Sequence, residues 1–188
     1  PVPPCGAGVR ERNRLADGGF EAGSPSAVWE EYSDNFPSPI CTPTSCGLAG
    51  AQAGDAWAFF GGTTAVETAS LAQSFTLFPG PATLGFFAWT AAAGGNGQDR
   101  FRILIDDAEV ALLTEGDARY TGGYRPLEID LAAFADGGSH QLRLEAATAG
   151  TPGISSFFVD EVAINACPDL TVPPELWIAD RTVVEGDA

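Results

Sequence analysis

Short apolar runs, interrupted every few residues by glycine or proline, constrain this chain more than any other feature. The 23 Gly and 14 Pro leave few uninterrupted windows long enough for a helix. Glycine and proline clusters between alternating runs mark strands joined by turns. Phe101, Ile103 and Ile105 alternate with Arg102 and Leu104, and Leu142 and Leu144 alternate with Gln141, Arg143 and Glu145. A period of two gives a strand one face to bury, so the pattern predicts an all-β sandwich. Strands are expected at 27–32, 56–60, 70–78, 82–90, 101–105, 109–114, 125–130, 140–146, 157–165 and 176–184. Residues 84–89 and 157–164 are apolar on both faces and should be central and deep. Asp106-Asp107 reads as a hairpin turn, and 131–135 as one helical turn. No internal repeat is evident.

Disorder is excluded by composition, since 45% of the residues are hydrophobic and only 18% charged. The charge is one-sided: 25 acidic residues face 9 basic ones, all Arg, for a formal charge of -16. Such a field repels phosphate backbones and anionic headgroups, leaving cations, neutral ligands and proteins as partners and excluding nucleic acid. No run approaches the roughly 18 apolar residues of a membrane-spanning helix, so direct membrane insertion is not expected.

Four cysteines permit three pairings. Spacing favours Cys41 with Cys46 around a short loop, and Cys5 with Cys167 near the two ends. The rival is a set of free buried thiols. Bridges imply an oxidising compartment, hence an extracellular or cell-surface location, and a start at Pro1 suggests a trimmed leader. Composition shifts after Cys167, where Pro168, Pro173 and Pro174 interrupt pairing. The expected organisation is an N-terminal arm (1–16), a sandwich (17–167) and a proline-rich linker with a strand-like extension (168–188). That extension docks back, begins another domain, or adds a strand to a neighbouring molecule.

The run Asp17-Gly18-Gly19-Phe20-Glu21, Trp29, and the closing Phe158-Val159-Asp160-Glu161-Val162 resemble family-4-like and family-22-like carbohydrate-binding modules. The middle is similar to exported bacterial domains of the same superfamily, on residues 54–62, 71–75 and 137–142. This resemblance covers 17–164 and implies a lectin-like jelly roll of two antiparallel sheets. It further implies a structural calcium ion held by Glu21, Asp160 and a backbone oxygen at Gly19, on first and last strands that lie together; Ca2+ takes six to eight oxygen ligands. The alternative is that both carboxylates are merely polar ends of edge strands. Residues 178–187, with Val183-Val184-Glu185-Gly186-Asp187, resemble the first strand of a Calx-beta domain.

Catalytic signals are sparse. His140, the one histidine, follows a Gly-Gly-Ser turn without a nucleophile elbow elsewhere, and reads as an ordinary strand residue. Asp106-Asp107, Glu30-Glu31 and Asp160-Glu161 are adjacent, but strand neighbours point to opposite faces. Exposed aromatics are better candidates, since sugars stack on such rings: Tyr120 and Tyr124 in a glycine-containing loop, then Trp29 and Tyr32. Trp57 and Trp89 read as core. The expected function is a non-enzymatic binding or adhesive module of an exported bacterial protein, with a neutral glycan as ligand. The alternative is a fibre subunit donating Leu176, Ile178 and Val183 to the next copy, head to tail.

Overall fold

The computed structural model describes residues 11–47 and 50–168. Its strands are β1 (Arg12–Asn13), β2 (Glu30–Ser33), β3 (Ile40–Cys41), β4 (Trp57–Gly61), β5 (Glu67–Thr76), β6 (Ala82–Ala92), β7 (Arg100–Ile105), β8 (Ala108–Thr114), β9 (Arg125–Asp130), β10 (Ser139–Thr148) and β11 (Ser156–Ala166). One sheet runs β3-β4-β11-β6-β9, with β1 also paired to β11, and the other runs β2-β5-β10-β7-β8. All pairings are antiparallel. The expected jelly-roll sandwich is therefore the fold.

Period-two burial builds the core. Phe60, Phe86, Ala88, Phe157 and Val159 face Ala69, Leu71, Phe101, Ile103, Leu142 and Leu144 across the gap between the sheets. Phe101 sits at the centre, with ring centroids 5.2 Å from Phe60, 6.0 Å from Phe157 and 6.5 Å from Phe86. As expected, β6 and β11 are central strands. The Asp106-Asp107 turn has φ of 50° and 67°, the paired left-handed geometry of a tight hairpin. The turn after β9 is a single 3-10 turn, Ala132–Phe134.

One local expectation changes. Residues 27–29 are not strand, because the Ser26 hydroxyl accepts from the amides of Val28 and Trp29 and folds that segment before pairing begins. Within the described part of the N-terminal arm, β1 pairs with Ala166 and Asn165, and Leu15 enters the core.

Cys41 and Cys46 are bridged across a four-residue helix, α1 (Pro43–Cys46). Thr42 caps that helix by accepting from the Ser45 amide, and Gly47 ends it with φ of 69°. Cys167 is buried and no free cysteine occurs among the described residues; its expected partner, Cys5, lies outside them. So do Leu176, Ile178, Val183 and the Calx-beta-like segment. Among the described residues, no helix is long and apolar enough to cross a membrane.

Candidate functional site

First and last segments do lie together, as the resemblance implies. The Val162 amide donates to the Gly18 carbonyl at 2.9 Å, and a β-carbon on Gly18 would fall 1.8 Å from the Val162 oxygen, so only glycine fits this approach. Register breaks between Asp160 and Ala163, where Glu161 has φ of 56°. This bulge corrects the expectation that Asp160 and Glu161 diverge. An ideal β-carbon on Gly19 would sit 3.0 Å from Glu161 Oε1 and 4.0 Å from Asp160 Oδ1, so both carboxylates turn towards Gly19. Glu161 was not among the expected ligands, since strand alternation hides a bulge.

The two expected ligands both hold one loop. Glu21 Oε1 accepts from the amides of Asp55 (2.9 Å) and Ala56 (3.0 Å). Asp160 Oδ2 accepts from Gln52 (2.7 Å) and Ala53 (3.1 Å), and its Oδ1 from Glu161 (2.7 Å). Asp160 is fully buried, and burial outweighs these bonds to raise its pKa. No cationic side chain pairs with it among the described residues. Nor, among those residues, do three or more His, Cys, Asp or Glu form a metal-binding group, so a cation here would also draw on backbone oxygens. Asp160, buried without a cationic partner and with the Glu161 carboxylate turned to the same glycine, offers the oxygen chemistry that a hard cation takes.

The aromatic candidates separate sharply. Trp29 is a core residue: its ring packs 5.4 Å from Phe20 and its Nε1 donates to the Asp17 carbonyl at 2.9 Å. Tyr120 is also buried rather than exposed, because its loop folds back on the sandwich, with the Tyr120 carbonyl accepting from Thr90 at 2.8 Å. Tyr124 is half-buried and its hydroxyl donates to the Gly50 carbonyl at 2.6 Å. It ends a row of rings, Phe59, Phe158, Trp89 and Tyr124, spaced 4.8, 5.3 and 5.7 Å on the outer face of the β3-to-β9 sheet. With Trp57, Ala51 and Cys46 these rings form a second small core.

Tyr32 alone of the four is exposed, at 54%. Register places Tyr32 (β2), Ser70 (β5), Glu145 (β10), Arg102 (β7) and Leu112 (β8) in one row across the outer face of the other sheet. Four strand spacings give the row a length of about 19 Å. Leu112, at the far end, is 43% exposed. Arg102 is held between Glu109 (2.9 Å) and Glu145 (3.0 Å), so its guanidinium is fixed and its charge compensated. Tyr32 donates to Asp34 Oδ1 at 2.5 Å, which orients the ring. Sequence alternation shows that Arg102 and Glu145 point outwards; the alignment of five strands into one row is tertiary.

His140 is buried, its Nδ1 2.7 Å from Asp106 and its Nε2 3.2 Å from Asp136. Burial disfavours the imidazolium, but the hydrogen bonds and charges of both aspartates outweigh it and raise the pKa. Both ring nitrogens are engaged, so the side chain pins the β10 start to the hairpin turn, in keeping with a structural role.

No family model and no curated protein matches the chain. Among solved structures, it is similar to TmCBM61 in complex with beta-1,4-galactotriose, at 20% identity and a TM-score of 0.58, covering 81% of this chain and 97% of that one. The K2 cleaved adhesin domain of Lys-gingipain aligns at 12% identity and a TM-score of 0.56, over 83% and 99% of the two chains. A cyclase from Fischerella sp. TAU aligns at 15% identity and 0.53, over 82% and 96%. Both binding modules and a cyclase thus share the architecture, so fold alone does not separate binding from catalysis. The chain has the β-sandwich fold of carbohydrate-binding modules and cleaved adhesin domains.

Proposed function

We propose that this protein is a non-enzymatic, extracellular binding module that takes a neutral glycan along the Tyr32-Ser70-Glu145-Arg102-Leu112 row. The row carries the reading. It offers an exposed ring for the apolar face of a sugar, a fixed guanidinium and carboxylate for hydroxyls, and a second apolar contact at the far edge. Net charge of -16 favours a neutral ligand over an anionic one. The Cys41–Cys46 bridge supports an oxidising compartment. Calcium at Glu21, Asp160, Glu161 and the Gly19 backbone would neutralise the buried carboxylate and lock the 52–56 loop; it is a stabilising ion with no step in binding.

Calorimetric titration with beta-1,4-galactotriose, preceded by a neutral-glycan array to choose further probes, tests the assignment. Tyr32→Ala or Arg102→Ala should weaken the best ligand about 3- to 10-fold, the loss expected for one stacked ring or one fixed donor. Absence of any neutral-glycan binding, or binding untouched by both substitutions, refutes it.

A further inference from the structure

At one end of the sandwich the inner face of the five-stranded sheet turns polar. Pairing of Ala147 with Arg100, Thr148 with Glu67, and Arg100 with Thr114 puts Glu67, Thr148, Asp99 and Glu115 in one row. All four are buried, with exposures of 1%, 3%, 0% and 3%. Glu67 is engaged by the Ser33 hydroxyl and the Asn35 amide. Asp99 and Glu115 are directly opposed, the Glu115 amide donating to the Asp99 carbonyl at 3.2 Å. Neither forms an ion pair with a cationic side chain among the described residues. Two opposed, buried carboxylates repel each other and lose hydration unless a positive charge joins them.

Neutral donors only partly compensate. Asp99 Oδ1 accepts from the Ala149 amide (2.7 Å) and from Asn96 Nδ2 (3.1 Å), and Glu115 from the amides of Gly95 and Gly97 and the Ser155 hydroxyl. Asp99 Oδ2 and Thr148 Oγ1 are buried without any hydrogen-bond partner. Gly94 borders that oxygen: a β-carbon there would lie 3.2 Å from Asp99 Oδ2 and 3.0 Å from the Gly153 carbonyl carbon. Of the four such side-chain oxygens among the described residues, these two fall in adjacent positions of the polar row.

We propose that this inner end is a cation site in which Asp99 and Glu115, with the Thr148 hydroxyl, take a hard divalent cation of the calcium class. All the side-chain groups offered are oxygens, which suits calcium and not a soft metal. The site is separate from that at Asp160: Asp99 immediately precedes β7, Glu115 immediately follows β8 and Thr148 ends β10, whereas Asp160 lies on β11.

The test uses the full chain, 15N-labelled, stripped with chelator and titrated with calcium chloride. The amides of Gly95, Gly97 and Ala149, which donate to Glu115 and Asp99, should shift saturably. Asp99→Asn should abolish those shifts while leaving any response at Gln52 and Ala53 intact, and Glu115→Gln serves if that variant does not fold. Amides that stay unmoved to millimolar calcium in the folded wild-type protein overturn the proposal. An undiminished response in both variants overturns it too.

Discussion

Replacing Asp160 by asparagine separates its two roles, as acceptor for a loop and as cation ligand. Its carboxylate accepts three amides, two of them from Gln52 and Ala53 through Oδ2. An amide side chain has one accepting oxygen, so whichever way it turns, at least one partly buried N–H faces an NH2 group. Leaving a buried donor unsatisfied costs about 1–3 kcal/mol, and losing bonds to a charged acceptor about 1.5–3 kcal/mol. Asp160→Asn should therefore lower stability by about 2–5 kcal/mol in calcium. Part of this is offset without the ion, because burial destabilises the wild-type carboxylate. With its folded pKa raised above the unfolded value, the group's contribution is greatest at acid pH and falls as pH rises through the folded pKa. Calcium at a hundred times its Kd adds about 2.7 kcal/mol to any protein that binds it only when folded. Urea unfolding followed by tryptophan fluorescence, with calcium or chelator at pH 7, gives all four numbers. Reading the local calcium response at Gln52 and Ala53 separates this ion from one bound elsewhere. The reasoning fails if the variant loses less than about 1 kcal/mol in calcium, or keeps the wild-type calcium response at those amides.

Other outcomes follow from the same structure. Phe101→Ala removes the ring that touches three others between the sheets, and should cost about 4 kcal/mol, or roughly 8–16 °C in Tm by calorimetry; a drop under 3 °C would place the core elsewhere. His140 has a folded pKa above its unfolded value, so its stabilising effect is complete below pH about 6.5 and fades as pH rises through the folded pKa. His140→Gln should flatten that part of the stability profile, measured by urea midpoints between pH 5 and 9. An unchanged profile would show that the aspartates at 106 and 136 do not hold the imidazolium.

Alternation and punctuation were enough to determine the all-β class, the approximate span of each long strand and the Asp106-Asp107 turn, because each depends on residues a few positions apart. The Cys41–Cys46 bridge is similarly local. Everything that depends on which face is covered, and by what, came from tertiary structure. Tyr120 and Tyr124 share one glycine-containing loop, yet Tyr120 folds back into the core and Tyr124 packs on Trp89, while Tyr32 stays in solvent. Asp160 and Glu161 turn to the same glycine only because β11 bulges, and that bulge answers Gly18, more than a hundred residues away in sequence. Asp99 and Glu115 fall just outside the expected strands at 101–105 and 109–114, and nothing local reveals that both are buried inside the sandwich. A sequence encodes the period of its own strands, whereas register, bulges and loop closure arise from contacts between distant segments.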